Sequence, residues 1–260
     1  MVFLILAILS SSVISIVMRL SNAKITNKMM MFSTNYIVCT ICSLFFIGDI
    51  SNITSSNYSF PIWFGTITGL FYLICFLFLE FNIRKNGVVL SSTFSKLGVL
   101  VPISISIIFF NEVPGALKIV GIVLAIISII VMNFSKPSNG AKAFNISSLF
   151  LLCLLLLGGI TDASSTIFEN LGDGKLQGLF LTCIFSSALI FSIIFLIVQR
   201  KKISRNDILF GIAIGIPNYF SSYFLLNSLN TIDAVIVYPT YSVSTIVIVT
   251  LTGIFLFKEK

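Results

Sequence analysis

The stretch Ser91-Ser-Thr-Phe-Ser-Lys-Leu-Gly-Val-Leu-Val-Pro102 sets Lys96 inside a run, residues 87–111, that holds no other charge. A lysine at the centre of a membrane helix costs about 2.5–3.5 kcal/mol, and each Leu, Ile, Phe or Val returns about 0.3–0.6. The aliphatic and aromatic residues of this run cover that cost, so the segment still inserts. Lipid exposure of the ammonium would be unfavourable, and intramembrane charges face a cavity or a partner.

The rest of the chain makes the bilayer the relevant solvent. With 57% hydrophobic and 10% charged residues and a mean hydropathy of +1.09, the sequence cannot supply a polar exterior. Apolar runs long enough to cross a ~30 Å core recur near 2–20, 32–48, 61–82, 87–110, 115–134, 147–168, 176–198, 207–228 and 231–257. We therefore expect an all-α polytopic membrane protein with nine spans present. The first run lacks a basic leader and a cleavage pattern, so it reads as a span.

The basic residues set orientation. Arg19, Lys24, Lys28, Arg84, Lys85, Lys136, Lys142, Arg200, Lys201, Lys202, Arg205, Lys258 and Lys260 fall on one side, against Lys118 and Lys175 on the other. The positive-inside rule makes the first side cytoplasmic and the N-terminus external. The net charge of +7 is spent on topology, and no nucleic acid partner is expected. Histidine is absent, and Cys39, Cys42, Cys75, Cys153 and Cys183 lie within apolar spans. No metal, cofactor or disulfide framework is expected.

Shifting the chain by 147 residues aligns it with itself: Tyr72 falls on Tyr219, Thr93 on Thr240, Ser95 on Ser242 and Glu112 on Glu259. With one residue of slack, Gly65-x-x-x-Gly69 falls on Gly211-x-x-x-Gly215. The unit holds five spans, an odd number, so the second copy must be inverted. Loop charges agree, since loops basic in one copy lose that character in the other. The expected domains are 1–135 (five spans), a cytoplasmic linker 136–146, and 147–260 (four spans). The repeat favours a longer protein in which a tenth span follows Glu259.

Two such copies, with VLSSTFSKLGVLVPISISIIFFNE in one and VIVYPTYSVSTIVIVTLTGIFLFKE in the other, resemble the EamA-like drug/metabolite transporters. The resemblance implies two inverted five-helix repeats, a central cavity lined by spans one to four and six to nine, and alternating access. Many such proteins read as N-terminus inside, unlike this chain. The glutamate that small multidrug-resistance relatives carry in the first span corresponds here to Ser11, with Gly158 in the second copy, so that role is not carried over.

The expected function is secondary transport of a small organic metabolite (amino acid, sugar derivative or drug-like solute) at the plasma membrane. A coupling ion and homodimerisation are left open. A scaffold or receptor, or less readily a lipid-processing enzyme, are the alternatives; with no histidine and few buried charges, an enzyme is not expected. The substrate-binding candidates are Lys96 and Asp162, whose Cα levels differ by about 7 Å at 1.5 Å per residue. Ser92, Tyr72, Tyr219, Tyr223, Asn227, Tyr238 and Tyr241 join them. Ser92, Lys96 and Ser106 are expected on one helical face, Glu80 is expected to pair with Arg84, and Ser11, Ser12, Gly158 and Gly159 to permit close helix approach. A cysteine placed at Lys202 should resist an impermeant thiol reagent applied outside intact cells; labelling there would reverse the topology.

Overall fold

The computed structural model describes residues 1–47, 58–110, 146–199 and 201–258, with Gly115, Ile119, Val120 and Val123 between them. The helices are α1 (Val2–Ser21), α2 (Lys28–Phe45), α3 (Ser59–Asn86), α4 (Val88–Leu97), α5 (Leu100–Phe110), α6 (Ile146–Leu171), α7 (Gln177–Gln199), α8 (Arg205–Leu229) and α9 (Ala234–Phe257). A short 3-10 turn, Gly174–Leu176, precedes α7. Among the described residues, eight helical segments are long and apolar enough to cross a membrane, α4 and α5 counting as one segment, Val88–Phe110. The described residues hold helices and no strand, and the protein is a multi-pass membrane protein. The expected span 115–134 falls almost wholly outside the described residues.

The chain passes from α3 to α4 through Gly87, at φ 85° and ψ 166°, a conformation that only glycine adopts without strain. The fourth span then breaks after Leu97. Pro102 has no N–H, and its ring would collide with the carbonyl four residues back, that of Gly98. The backbone answers with tighter bonds: Val99 N–H donates to the Lys96 carbonyl at 3.2 Å and Val101 N–H to the Gly98 carbonyl at 2.9 Å. This break corrects the expected stripe. Ser106 lies beyond it, fully buried with no partner for its hydroxyl, and does not share a surface with Lys96.

Glycines determine which helices touch. A Cβ on Gly65 or Gly69 would strike α7 at Cys183 or Ser187, each 2.8 Å away. One on Gly211 or Gly215 would strike α2, at Thr34 (2.6 Å) or Val38 (2.7 Å). Small residues bring backbones together where lipid supplies no hydrophobic drive. The same device joins α4 to α6: Gly98 and Gly159 face each other's backbone, and Gly158 faces the Ser95 carbonyl. In consequence α2 packs on α8 and α7, α3 on α7 and α6, α1 on α8 and α9, and the α4–α5 segment on α6 and α9.

The α1–α2 loop is tied to the start of α8 by one carboxylate. Asp207, fully buried, accepts from the N–H groups of Thr26 (2.8 Å), Asn27 (3.2 Å) and Ser204 (2.7 Å) and closes a capping box with Ser204. Asn27 in turn caps α2 by accepting from the N–H groups of Met29 and Met30. Lys28 forms an ion pair with Glu80 of α3. Glu80 therefore bridges two helices through Lys28, contrary to the expected local pair with Arg84. Local spacing could not reveal a partner 52 residues away.

Gly159→Val should destabilise the protein by about 1–3 kcal/mol through overpacking against α4. Gly174→Ala, where an added Cβ meets nothing within 4 Å, should leave the melting temperature unchanged.

Candidate functional site

A cavity of about 80 Å³ lies among α1, α3, α4, α6, α8 and α9. Lys96 reaches it from α4 and Asp162 from α6, each half-buried. The Lys96 ammonium rests 4.0 Å from the centre of the Tyr241 ring, a cation–π contact. Tyr241 is fixed by its hydroxyl, 3.1 Å from the Ser221 hydroxyl. No hydrogen bond or ion pair within 4.0 Å joins Lys96 to Asp162. Two opposite charges thus line one partly open cavity without forming an ion pair.

Ser92, one turn before Lys96, is 2% exposed, and its hydroxyl has no partner. Tyr72 lies on the opposite wall with its hydroxyl 3.4 Å from that of Ser222. The structure brings Lys96, Asp162, Ser92, Tyr72 and Tyr241 together. Tyr238 sits behind the wall: its hydroxyl donates to the Asp162 backbone carbonyl at 2.6 Å and accepts from the Thr166 hydroxyl at 2.9 Å. It positions α6 without lining the cavity.

Three candidates lie elsewhere. Tyr219 is fully buried in an aromatic stack with Phe46 and Tyr223, ring centres 5.8 Å apart in each pair. Asn227 spends its amide on the Tyr223 carbonyl at 2.8 Å. A shift of 147 residues gives Tyr219 as the counterpart of Tyr72, but the glycine pairs impose one residue less. That register pairs Tyr72, Cys75, Phe76 and Leu79 with Asn218, Ser221, Ser222 and Leu225, and all eight line the cavity. One residue of slip turns a helix by about 100°, which is why Tyr219 faces Phe46.

Sequence reasoning missed Asn218, Ser221 and Ser222. Asn218 is held by donation to Asn35 of α2 at 3.2 Å. The glycine register would have found them. Ser11, Ile14 and Ser15 of α1 line the cavity in the positions that Gly158, Thr161 and Asp162 take in α6. Gly158 and Gly159 also permit the expected close approach, whereas Ser12 donates to its own helix at the Ile8 carbonyl. Among the described residues, none of α2 or α7 lines this cavity; they buttress α8 and α3 through the glycine contacts. This corrects the expectation that every span from one to four and six to nine reaches the cavity.

Among the described residues no group of three His, Cys, Asp or Glu could hold a metal ion. The arrangement can instead grip both ends of a dipolar solute, with a fixed cation on one wall and a carboxylate on the other. A second, polar pocket of about 340 Å³ lies beyond Thr166, at the ends of α6 and α8 and the start of α9. The Thr166–Tyr238 link stands between it and Asp162.

No family model matches the chain. It is 26% identical to an uncharacterized protein of Haemophilus influenzae over 99% of its own length and 90% of that protein's. It resembles a protein of known crystal structure with a TM-score of 0.70 at 13% identity, over 99% of this chain and 88% of that one. The second likeness shows that the fold is shared.

Tyr238→Phe removes the donor to the Asp162 carbonyl and should cost about 0.5–1.5 kcal/mol of stability, read as a lower melting temperature of the purified protein. An unchanged melting temperature would mean that this hydroxyl does not hold α6.

Proposed function

We propose that the protein is a secondary transporter that moves a small organic metabolite through the central cavity by alternating access. The observation that carries the reading is a pair of opposite charges, from α4 and α6, lining one partly open cavity among the membrane-spanning helices. Such groups are expensive in a bilayer and are kept where a solute or ion must pass.

The helix neighbours support two inverted repeats of the EamA-like kind. Exchanging α1 with α6, α2 with α7, α3 with α8 and α4–α5 with α9 maps the principal helix contacts onto one another. The contact of α1 with α8 becomes that of α6 with α3, and α2 with α8 becomes α7 with α3. The cavity walls follow the same exchange, as expected when a site lies at a repeat interface near the midplane. Charge does not follow it: Asp162 stands where the first half has Ser15, so the frame is duplicated while the chemistry is specific. In the orientation given by the loop charges, the Lys28–Glu80 pair and the Asp207 cap lie on the cytoplasmic side, and the polar pocket beyond Thr166 lies on the outer side.

Cys75 lines the cavity and offers a native probe. In a variant with the other four cysteines replaced, an impermeant maleimide should label Cys75 from either face of oriented vesicles, each in a different state of the protein. Labelling from one face only, under every condition, would contradict alternating access.

A further inference from the structure

We propose that the central cavity takes a compact zwitterion, its anionic group held by Lys96 and Ser92 and its cationic group by Asp162. This deepens the transporter reading by naming what the site accepts.

The inference starts from what the two charges lack. Among the described residues, Lys96 has an aromatic face beneath it but no carboxylate within 4.0 Å, and Asp162 has no cation within that distance. A buried charge without a partner is costly, and attraction across a gap repays only part of that cost. A solute with one charge would satisfy one wall and leave the other unpaired; a neutral solute would leave both. A molecule with both signs completes both at once. Rejection of the single-charge analogues is strong because each would leave a desolvated polar group unpaired.

Chemistry on each wall sets the direction of binding. Lys96 is donor-only, and Ser92 offers an unpartnered hydroxyl one helical turn away, 2% exposed and lining the same cavity. Two donors on one wall suit a carboxylate or another small anion. Asp162 accepts, as an ammonium group requires. Its own backbone is fixed by Tyr238, so the carboxylate is held in register with the opposite wall.

Size narrows the class. A cavity of about 150 Å³ admits benzene, and this one is about 80 Å³. That suits a solute of the size of glycine or alanine, with its charges separated by one or two carbon atoms.

The test is equilibrium binding to the purified protein in lipid nanodiscs, with glycine, acetate, methylamine and glycerol as probes at fixed ionic strength. Glycine should bind at least tenfold more tightly than any of the other three. Lys96→Gln should abolish the preference for glycine over methylamine, and Asp162→Asn its preference over acetate. Ser92→Ala, a milder change, should weaken glycine severalfold and leave methylamine unaffected, which keeps the test open if a charge variant does not fold. Equal binding of acetate, methylamine or glycerol, or no binding of any probe, would overturn the proposal. Two-sided labelling of Cys75 without a glycine preference would sink the zwitterion alone. A glycine preference with one-sided labelling would instead sink alternating access.

Discussion

The backbone contact between Gly98 and Gly159 is the constraint on which the site depends. A side chain at either position would strike the facing backbone or Val101, and α4 and α6 would separate. Their separation would carry Lys96 away from Asp162 and open the cavity between them. The break at Gly98 belongs to the same arrangement. Pro102 forces the hydrogen-bond ladder to shift near Gly98, and the shifted backbone is the surface that α6 approaches. Local sterics, helix packing and the placing of two charges are therefore one problem solved at one position.

Elsewhere the protein treats polar groups differently. Asp207 is saturated by backbone donors, Glu80 has Lys28, and Asn218 has Asn35. Hydroxyls in the spans return their protons to carbonyls one turn back, as Thr34, Thr93 and Thr245 do. These are the structural solutions of a membrane protein, where water cannot satisfy a stray donor. Unpartnered hydroxyls also occur away from the cavity, at Ser33, Ser91 and Ser106, but Lys96 and Asp162 are opposite charges that line one cavity without forming an ion pair. Two unpaired opposite charges on facing walls of one cavity are better understood as preparation for a ligand than as a defect of folding.

Much of this was legible in the sequence because the bilayer makes charge conspicuous. Lys96 and Asp162 stood out as isolated charges in apolar runs, and depth counting along two helices placed them at compatible levels. Eight of the expected spans followed from length and hydropathy alone. What was hidden depended on rotation and on distant partners. Tyr219 matched Tyr72 in residue type, yet the register belongs to Gly65, Gly69, Gly211 and Gly215, whose backbone contacts fix how α3 and α8 turn. Asn218 and Ser221 carried no signal of their own, since short polar side chains are ordinary within such spans. Glu80 was assigned to Arg84 because spacing reveals neighbours on one helix and is blind to Lys28 on another. The break at Gly98 was written in Gly98 and Pro102 together, and a single helical wheel drawn through both halves misplaced Ser106.

The most direct measurement replaces both charges with apolar residues, Lys96→Met with Asp162→Leu, and compares the reconstituted protein with the parent in stability and in uptake across a metabolite panel. If the charges serve a solute, the double variant should fold and melt no lower than the parent, because two desolvated charges are gone, while uptake of every solute the parent carries is lost. Retained uptake in the folded double variant would contradict the account and make Lys96 and Asp162 a structural pair.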